Sequence, residues 1–427
     1  MPQLPTDPAA PLEASRERVL LLTLAGIQFA HILDFMVMMP LGPILMRELA
    51  IDAHQFGLLV SAYTFTAALA GVPMAVLADR FERKRLLLVM FALFALATLA
   101  CGLAGDFATL LAARATAGAF GGVLGSMVYT IVGDLVPFER RGRASGTIMS
   151  AFSLSTVAGV PLSLFLANQF GWRFPFFLIA ALALPLLWLG LRQLPQLRGH
   201  LPTAVASEAE RAHPFAAIGA VLADANHLRA YAFMALAIFS GFTVIPYITI
   251  YATANVGIAQ ADIPYLYLAG GCATFFTSRW IGRRTDAWGK LRAYRRVALL
   301  SLLPLFALTH LPPVPLWLMI ACTTLFFVLV PGRMVPVMAI MTSAAQPRLR
   351  GTFLAVNASV QNLCSGLAAY LGGALIALDA QGRVVGYGRV GLLAMGMTLL
   401  AMLLAGSIRL QSAVPPAPGF RPPAPDA

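Results

Sequence analysis

Charge is what this chain has least of. Of its 427 residues only 11% are Asp, Glu, Lys or Arg, against about 25% in a soluble domain. A soluble globular protein is thereby excluded, and the mean hydropathy of +0.79 points to a polytopic membrane protein. Acids are scarcer than bases, 18 against 30. The resulting formal charge of +12 is no nucleic-acid footprint, because no polar stretch is long enough to gather it on one soluble face. No nucleic-acid partner is expected. Cys101, Cys272, Cys322 and Cys364 stand singly within apolar segments, which excludes both a disulfide framework and a zinc site. A Walker loop, a nucleophile elbow and a metal-ligand pair are all missing. Neither an enzyme nor an ATP-driven pump is indicated, and no cofactor or metal is expected. No short apolar run with a small-residue cleavage site precedes the first apolar segment, so no removable signal peptide is expected.

What is present is a succession of apolar spans. They fall at about 19–45, 55–77, 86–104, 108–132, 145–167, 174–193, 230–251, 263–281, 297–311, 315–341, 352–377 and 390–408. Most approach the roughly 20 residues that a bilayer crossing requires; the ninth is short and runs into a proline-rich break. Six spans lie on each side of a polar connection, so the expected division is a tail at 1–18, a bundle at 19–193 and a linker at 194–227. A second bundle at 228–408 and a Pro-rich tail at 409–427 complete it. A short amphipathic helix is expected in the linker from about Pro214.

Basic residues alternate between the two ends of the spans. Arg80, Arg83, Lys84 and Arg85, then Arg140, Arg141 and Arg143, then Arg192, Arg198 and Arg211, then Arg283, Arg284, Lys290, Arg292, Arg295 and Arg296 share one end with Arg348 and Arg350. The other end holds Arg47, Arg173, Arg383 and Arg389. By the positive-inside rule the Arg-rich end and both termini are expected to be cytoplasmic. Little lysine against abundant arginine and alanine suggests a GC-rich bacterial genome, hence a bacterial inner (plasma) membrane.

Asp34 is the one acid well inside an apolar span. An ionised carboxylate at that depth costs roughly 2.5–3.5 kcal/mol on insertion scales, which is tolerated where the group faces partners, water or cargo. Gln28 and His31 lie on the same third of the helix. Arg114 in the fourth span either pairs with Asp34 or reaches back to the membrane interface. Arg333 in the tenth span either meets an anionic group on the cargo, or caps backbone carbonyls beside its flanking prolines or pairs near the cytoplasmic end. In the eleventh span Asn357 and Gln361 share a face, with Asn362 and Ser365 near. These amides either line a cavity or hydrogen-bond between helices. His31 is either a structural partner or a proton carrier. The aromatics Phe242, Tyr247, Tyr251, Phe275 and Phe276 either line a cargo pocket or simply pack.

An internal repeat links the halves. Asp79 in LADRFERKR and Asp286 in IGRRTDAWGK stand 207 residues apart, and each is followed after a similar interval by RRGRASG or RLRGTF. On these residues the chain resembles the major facilitator superfamily, of the twelve-helix drug:proton antiporter type, over about 19–408. The family's loop signature, Gly-x-x-x-Asp-Arg-x-Gly-Arg-Lys/Arg, is matched at Asp79, Arg80, Arg83 and Lys84, with Ala75 and Glu82 in place of the glycines. The second copy keeps Gly282, Asp286, Gly289 and Lys290 and lacks the first Arg. Arg114 and Gly118 match the Arg-x-x-x-Gly motif of the fourth helix. Gly159 and Pro161 match a Gly-x-Pro form of the motif associated with exporters, which lets helices approach and bend.

The resemblance implies an all-helical fold of two pseudo-symmetric six-helix bundles. It implies a cytoplasmic gate in which Asp79 faces the start of the eleventh helix near Gly351 and joins Arg80, Arg83 and Asp134. Asp286 takes the matching place in the second half, where Asp134 has no counterpart. The function expected is proton-coupled export of a small organic molecule or drug by alternating access. Asp34, Arg114 and His31 would couple protons, and Gln28, Asp34, Tyr247, Arg333, Asn357 and Gln361 would contact cargo. The partners expected are that solute, protons and membrane lipid, with a monomer as the working unit. A proton-coupled importer and a non-transporting membrane receptor or scaffold stay open as alternatives.

Overall fold

The computed structural model describes residues 14–78, 81–136, 140–197, 214–346 and 349–410. Its N-terminal half contains six membrane-length spans. They are Ala14–Val37, Ala53–Ala78, Arg83–Leu103, Phe107–Leu135, a composite fifth span and Phe174–Gln193. The fifth joins Arg141–Leu154 to Val160–Phe170 through a π-helical turn, Ser155–Gly159. The C-terminal half repeats the plan. Its seventh span starts as Ala225–Phe242 and continues through short helical pieces to Val256. Ile263–Trp288 and Lys290–Thr309 follow, then a broken tenth span, Leu316–Leu329 and Met334–Ala344, then Arg350–Ala374 and Tyr387–Ala405. Among the described residues, eight helical spans are long and apolar enough to cross a membrane on length and composition alone.

Local chemistry accounts for the departures from the sequence pattern. The first span stops at Val37, short of the expected Leu45, because Pro40 has no N–H to donate and its ring crowds the preceding turn. The chain turns and restarts as Gly42–Glu48, with Pro43 in the first turn, where a missing N–H costs nothing. Asp34 therefore lies in the last turn of its helix and not at its centre. The ninth span is a full 20 residues; its opening turns carry Lys290, Arg292, Arg295 and Arg296, which hide them from a hydropathy reading. The tenth is interrupted at Val330–Arg333, around Pro331 and Gly332. The linker helix runs Pro214–Ala223, starting where expected.

Asp224 then caps the seventh span. Its Oδ1 accepts from the backbone N–H of Asn226 at 2.7 Å and of His227 at 3.0 Å. The hydrogen bond from the His227 N–H is the main reason its carboxyl titrates below the usual range. Gln346, beyond the tenth span, donates Nε2 to Asp224 Oδ2 at 2.5 Å and its backbone N–H to His227 Nε2 at 3.2 Å. At the opposite end of the molecule Asp106 caps the fourth span through the Thr109 N–H.

The core shows how the halves meet. One continuous apolar cluster takes in the N-terminal half and the Arg-poor ends of the C-terminal spans, including Tyr247, Ile250, Tyr251 and Tyr267. The Arg-rich ends of the C-terminal spans form a separate cluster around Tyr231, Phe233, Tyr294 and Phe353. Contacts between halves agree. At the Arg-poor end Asn168 Nδ2 donates to Gln260 O at 3.2 Å, and His54 meets Tyr370 edge-on at 4.9 Å. Phe56 meets Tyr247 at 6.1 Å, and further in Phe35 lies 6.0 Å from Phe242. The halves are thus sewn together at the Arg-poor end by apolar and aromatic packing.

Candidate functional site

Four helices converge on Asp34. The fourth span can approach because Gly118 and Gly121 face the second: a Cβ on Gly118 would stand 2.1 Å from Tyr63 O, and one on Gly121 2.2 Å from the Tyr63 hydroxyl. This close packing brings Arg114 over the Tyr63 ring, with its guanidinium carbon 4.6 Å from the centroid. Arg114 Nη1 donates to Asp34 Oδ2 at 2.8 Å and to Asp34 O at 3.3 Å. Thr98 Oγ1, from the third span, donates to Asp34 Oδ1 at 3.3 Å. Both members of the pair are fully buried. Of the two alternatives for Arg114, pairing wins over reaching back to the interface.

The pair is not saturated. Arg114 Nε and Nη2 have no hydrogen-bond partner among the described residues, and neither do His31 Nδ1, Gln28 Oε1 and the Tyr63 hydroxyl. These groups lie close together: the Gly121 Cβ position is 3.1 Å from His31, and that of Gly125 is 3.8 Å from Gln28. His31 also faces the rings of Tyr63 and Phe94 at 6.4 and 6.2 Å. Buried polar groups are costly without partners, so an unsatisfied set clustered beside an ion pair has the chemistry of a site for a polar solute and a proton.

The other expected residues divide. Asn357 is buried and its Oδ1 lacks a partner among the described residues, while Gln361 is half-buried. Arg333 is buried inside the C-terminal half, donating Nη1 to Thr398 Oγ1 at 2.9 Å and Nη2 to Ala237 O at 3.1 Å. It ties the seventh, tenth and twelfth spans together. Tyr247 is fully buried and its hydroxyl donates to Ala369 O. Tyr251 donates to Leu311 O at 2.9 Å, and Phe276 is largely exposed on the outer surface. Phe242 and Tyr247 reach the other half, through Phe35 and Phe56.

Of the residues expected at a gate, Arg83 and Asp134 form an ion pair between the start of the third span and the end of the fourth. Asp79 and Arg80 lie outside the described residues. Asp286 is exposed. Gly159 ends the π-turn ahead of Pro161, and a Cβ there would stand 2.8 Å from Leu33. The missing Pro161 N–H accommodates the widened turn.

Sequence reasoning passed over Tyr63 and Thr98. Threonine in a membrane helix ordinarily bonds its own preceding carbonyl, as Thr66 and Thr116 do here, so nothing marks Thr98. Tyr63 carried a faint signal as the only tyrosine of the second span.

Comparison with known proteins agrees with this architecture. A family model described as Major Facilitator Superfamily matches residues 24–369. An uncharacterised MFS-type transporter of Bacillus subtilis is 26% identical over 394 residues, spanning 91% of this chain and 95% of that protein. A probable sugar efflux transporter of Pasteurella multocida is 29% identical over 197 residues. That match takes in 45% of this chain and 47%, about half, of the relative's length. Among solved structures, a D-xylose–proton symporter superposes with a TM-score of 0.73 at 15% identity, covering 93% of this chain and 98% of the symporter. At that identity the likeness concerns the fold.

Proposed function

Because the chain belongs to the Major Facilitator Superfamily, and is therefore a multi-pass membrane transporter and not an enzyme, we propose that it exchanges protons for a small organic solute and moves the solute outward. The observation that carries this reading is the buried Asp34–Arg114 pair with its unsatisfied neighbours Gln28, His31 and Tyr63. Protonating Asp34 would abolish its charge and loosen its hold on Arg114, so the proton and a hydrogen-bonding solute compete for one set of groups. Solute binding from the cytoplasm expels the proton, and protonation from outside expels the solute. Each charge that moves inward along a potential of 100 mV contributes roughly 2.3 kcal/mol. Asn357 and Gln361 are the contacts offered by the second half. Arg333, through its two Nη groups, and Tyr247, through its hydroxyl, act by holding the C-terminal half together.

Alternating access requires the contacts at the Arg-poor end to open while the Arg-rich end closes. The Arg83–Asp134 pair serves as the gate at the Arg-rich end, together with Asp286 of the other half and with Asp79 and Arg80 of the loop signature. The protein works as a monomer in a bacterial inner membrane, with the Arg-rich end and both termini in the cytoplasm. Outward transport is favoured by the Gly159-Val160-Pro161 turn and by the sugar efflux relative. A sugar is the first solute class to test, and cationic drugs the second.

The test uses proteoliposomes with an acid lumen and a panel of labelled mono- and disaccharides and cationic dyes. Antiport predicts accumulation of one class that collapses with a protonophore. Depletion from an acid lumen would instead establish symport with the same ion pair.

A further inference from the structure

A second site lies on the outer surface of the C-terminal half, remote from the ion pair. Between the eighth, ninth and tenth spans, at the Arg-rich end, runs a groove of about 330 Å³ whose exposed lining is wholly apolar. Trp280, Leu300 and Val328 line it, and Trp288 and Arg296 close its Arg-rich end. It opens sideways, where the bilayer lies: Leu299 and Leu300 beside it are 58% and 60% exposed.

The rim is built around one indole. The Arg296 guanidinium carbon stands 4.5 Å from the Trp288 ring centre, and that of Arg284 stands 5.3 Å from the same ring and 5.4 Å from Trp280. The two indoles meet edge-on at 6.2 Å. Both arginines are exposed, and neither forms an ion pair with a described acid. Stacking fixes a guanidinium by its face and leaves its N–H edge free, the arrangement suited to a phosphate. Two like charges held against one ring repel each other, and a shared anion removes that repulsion.

We propose that this groove binds an anionic phospholipid, with one acyl chain between the spans and the phosphodiester between Arg284 and Arg296. A second copy of the chain is disfavoured as occupant, because it would bring the same positive rim toward this one. A zwitterionic lipid offers the same phosphate but adds a cation that the two arginines oppose. The bound lipid would pin the eighth span, which packs against the fifth across the interface between halves, to the ninth and tenth. The anionic requirement follows from the rim and the apolar requirement from the groove.

The test reads tryptophan fluorescence of the full-length protein in phosphatidylcholine bilayers doped with brominated lipid. Brominated phosphatidylglycerol should quench more than an equal mole fraction of brominated phosphatidylcholine. The excess should vanish in Arg284→Gln/Arg296→Gln and persist in Arg283→Gln/Arg292→Gln, which removes two charges from the same end but not from the rim. It should also vanish in Trp280→Phe/Trp288→Phe, which deletes the reporters. Equal quenching by the two lipids in the wild type would overturn the site. So would a loss of the excess that is the same in both arginine variants, or an excess that survives without the two tryptophans. Melting curves of each variant establish that it is folded, and the phosphatidylglycerol-dependent rise in Tm should follow the same pattern.

Discussion

The Arg114 guanidinium rests on the face of Tyr63, 4.6 Å from its centre, and the next two residues of the second span, Thr64 and Phe65, touch Gly366 of the opposite half. One helix therefore feels both the buried ion pair and the interface that must move. A change in the pair's charge has a short physical path to the second half.

Tyr63→Phe keeps the ring face and removes a hydroxyl that has no described partner, so stability should change little while solute binding weakens. Tyr63→Leu removes a cation–π contact of about 0.5–2 kcal/mol. It should lower Tm further and weaken the dependence of transport on the proton gradient. Paired melting and flux assays of the two variants make the comparison.

Removing one member of a buried ion pair strands the other charge, a loss of about 3–5 kcal/mol. Asp34→Asn and Arg114→Gln should each destabilise the protein, and the double variant should lose less than the sum. Additive losses in denaturation curves would show that the two side chains do not act as a pair.

Fold and site were legible to different degrees. The spacing of apolar runs, the alternation of arginine and the repeated Asp79 and Asp286 carry the two-bundle architecture, because bilayer thickness and topology act on composition directly. Asp34 and Arg114 were visible as isolated charges at apolar positions. Their pairing needed the helix arrangement, since eighty residues separate them. Thr98 was invisible and Tyr63 only faintly marked, because a tyrosine or threonine in a membrane helix has many uses and only packing selects one. The stop at Pro40 and the break at Pro331 were written as prolines, but whether a proline kinks or ends a helix depends on what packs around it.

Gly118 has no room for a side chain. Gly118→Ala places a Cβ 2.1 Å from Tyr63 O, an overpacking that costs about 1–3 kcal/mol. Gly133→Ala, on the same helix with open space around it, should be neutral or stabilising by up to about 1 kcal/mol. Thermal melts of the two variants should move in opposite directions or differ clearly in size.

Asp224→Ala deletes the cap of the seventh span and should cost about 1 kcal/mol at neutral pH. The wild-type carboxyl titrates below its ordinary value because the His227 and Asn226 N–H groups stabilise the charged form. Its contribution is therefore complete above the unfolded value of about 3.9 and is lost as pH falls through the depressed folded value. The gap in stability between wild type and variant should be constant from neutral pH down to about 5 and should close in stronger acid.

Arg83→Asp and Asp134→Arg each place like charges where the ion pair stands and should slow transport. The exchanged pair Arg83→Asp/Asp134→Arg should recover much of the rate. Flux that is equally poor in the double variant would assign these residues to contacts other than each other.

The central claim is that Asp34 gives up a proton when solute enters. Purified protein in weakly buffered detergent solution, titrated with the solute identified by the vesicle panel, reports this through a pH indicator. The account predicts proton release that saturates with solute binding and is absent in Asp34→Asn, even at solute concentrations raised to overcome that variant's weaker binding. Solute binding without proton release in the wild type, or undiminished release in Asp34→Asn, would contradict it.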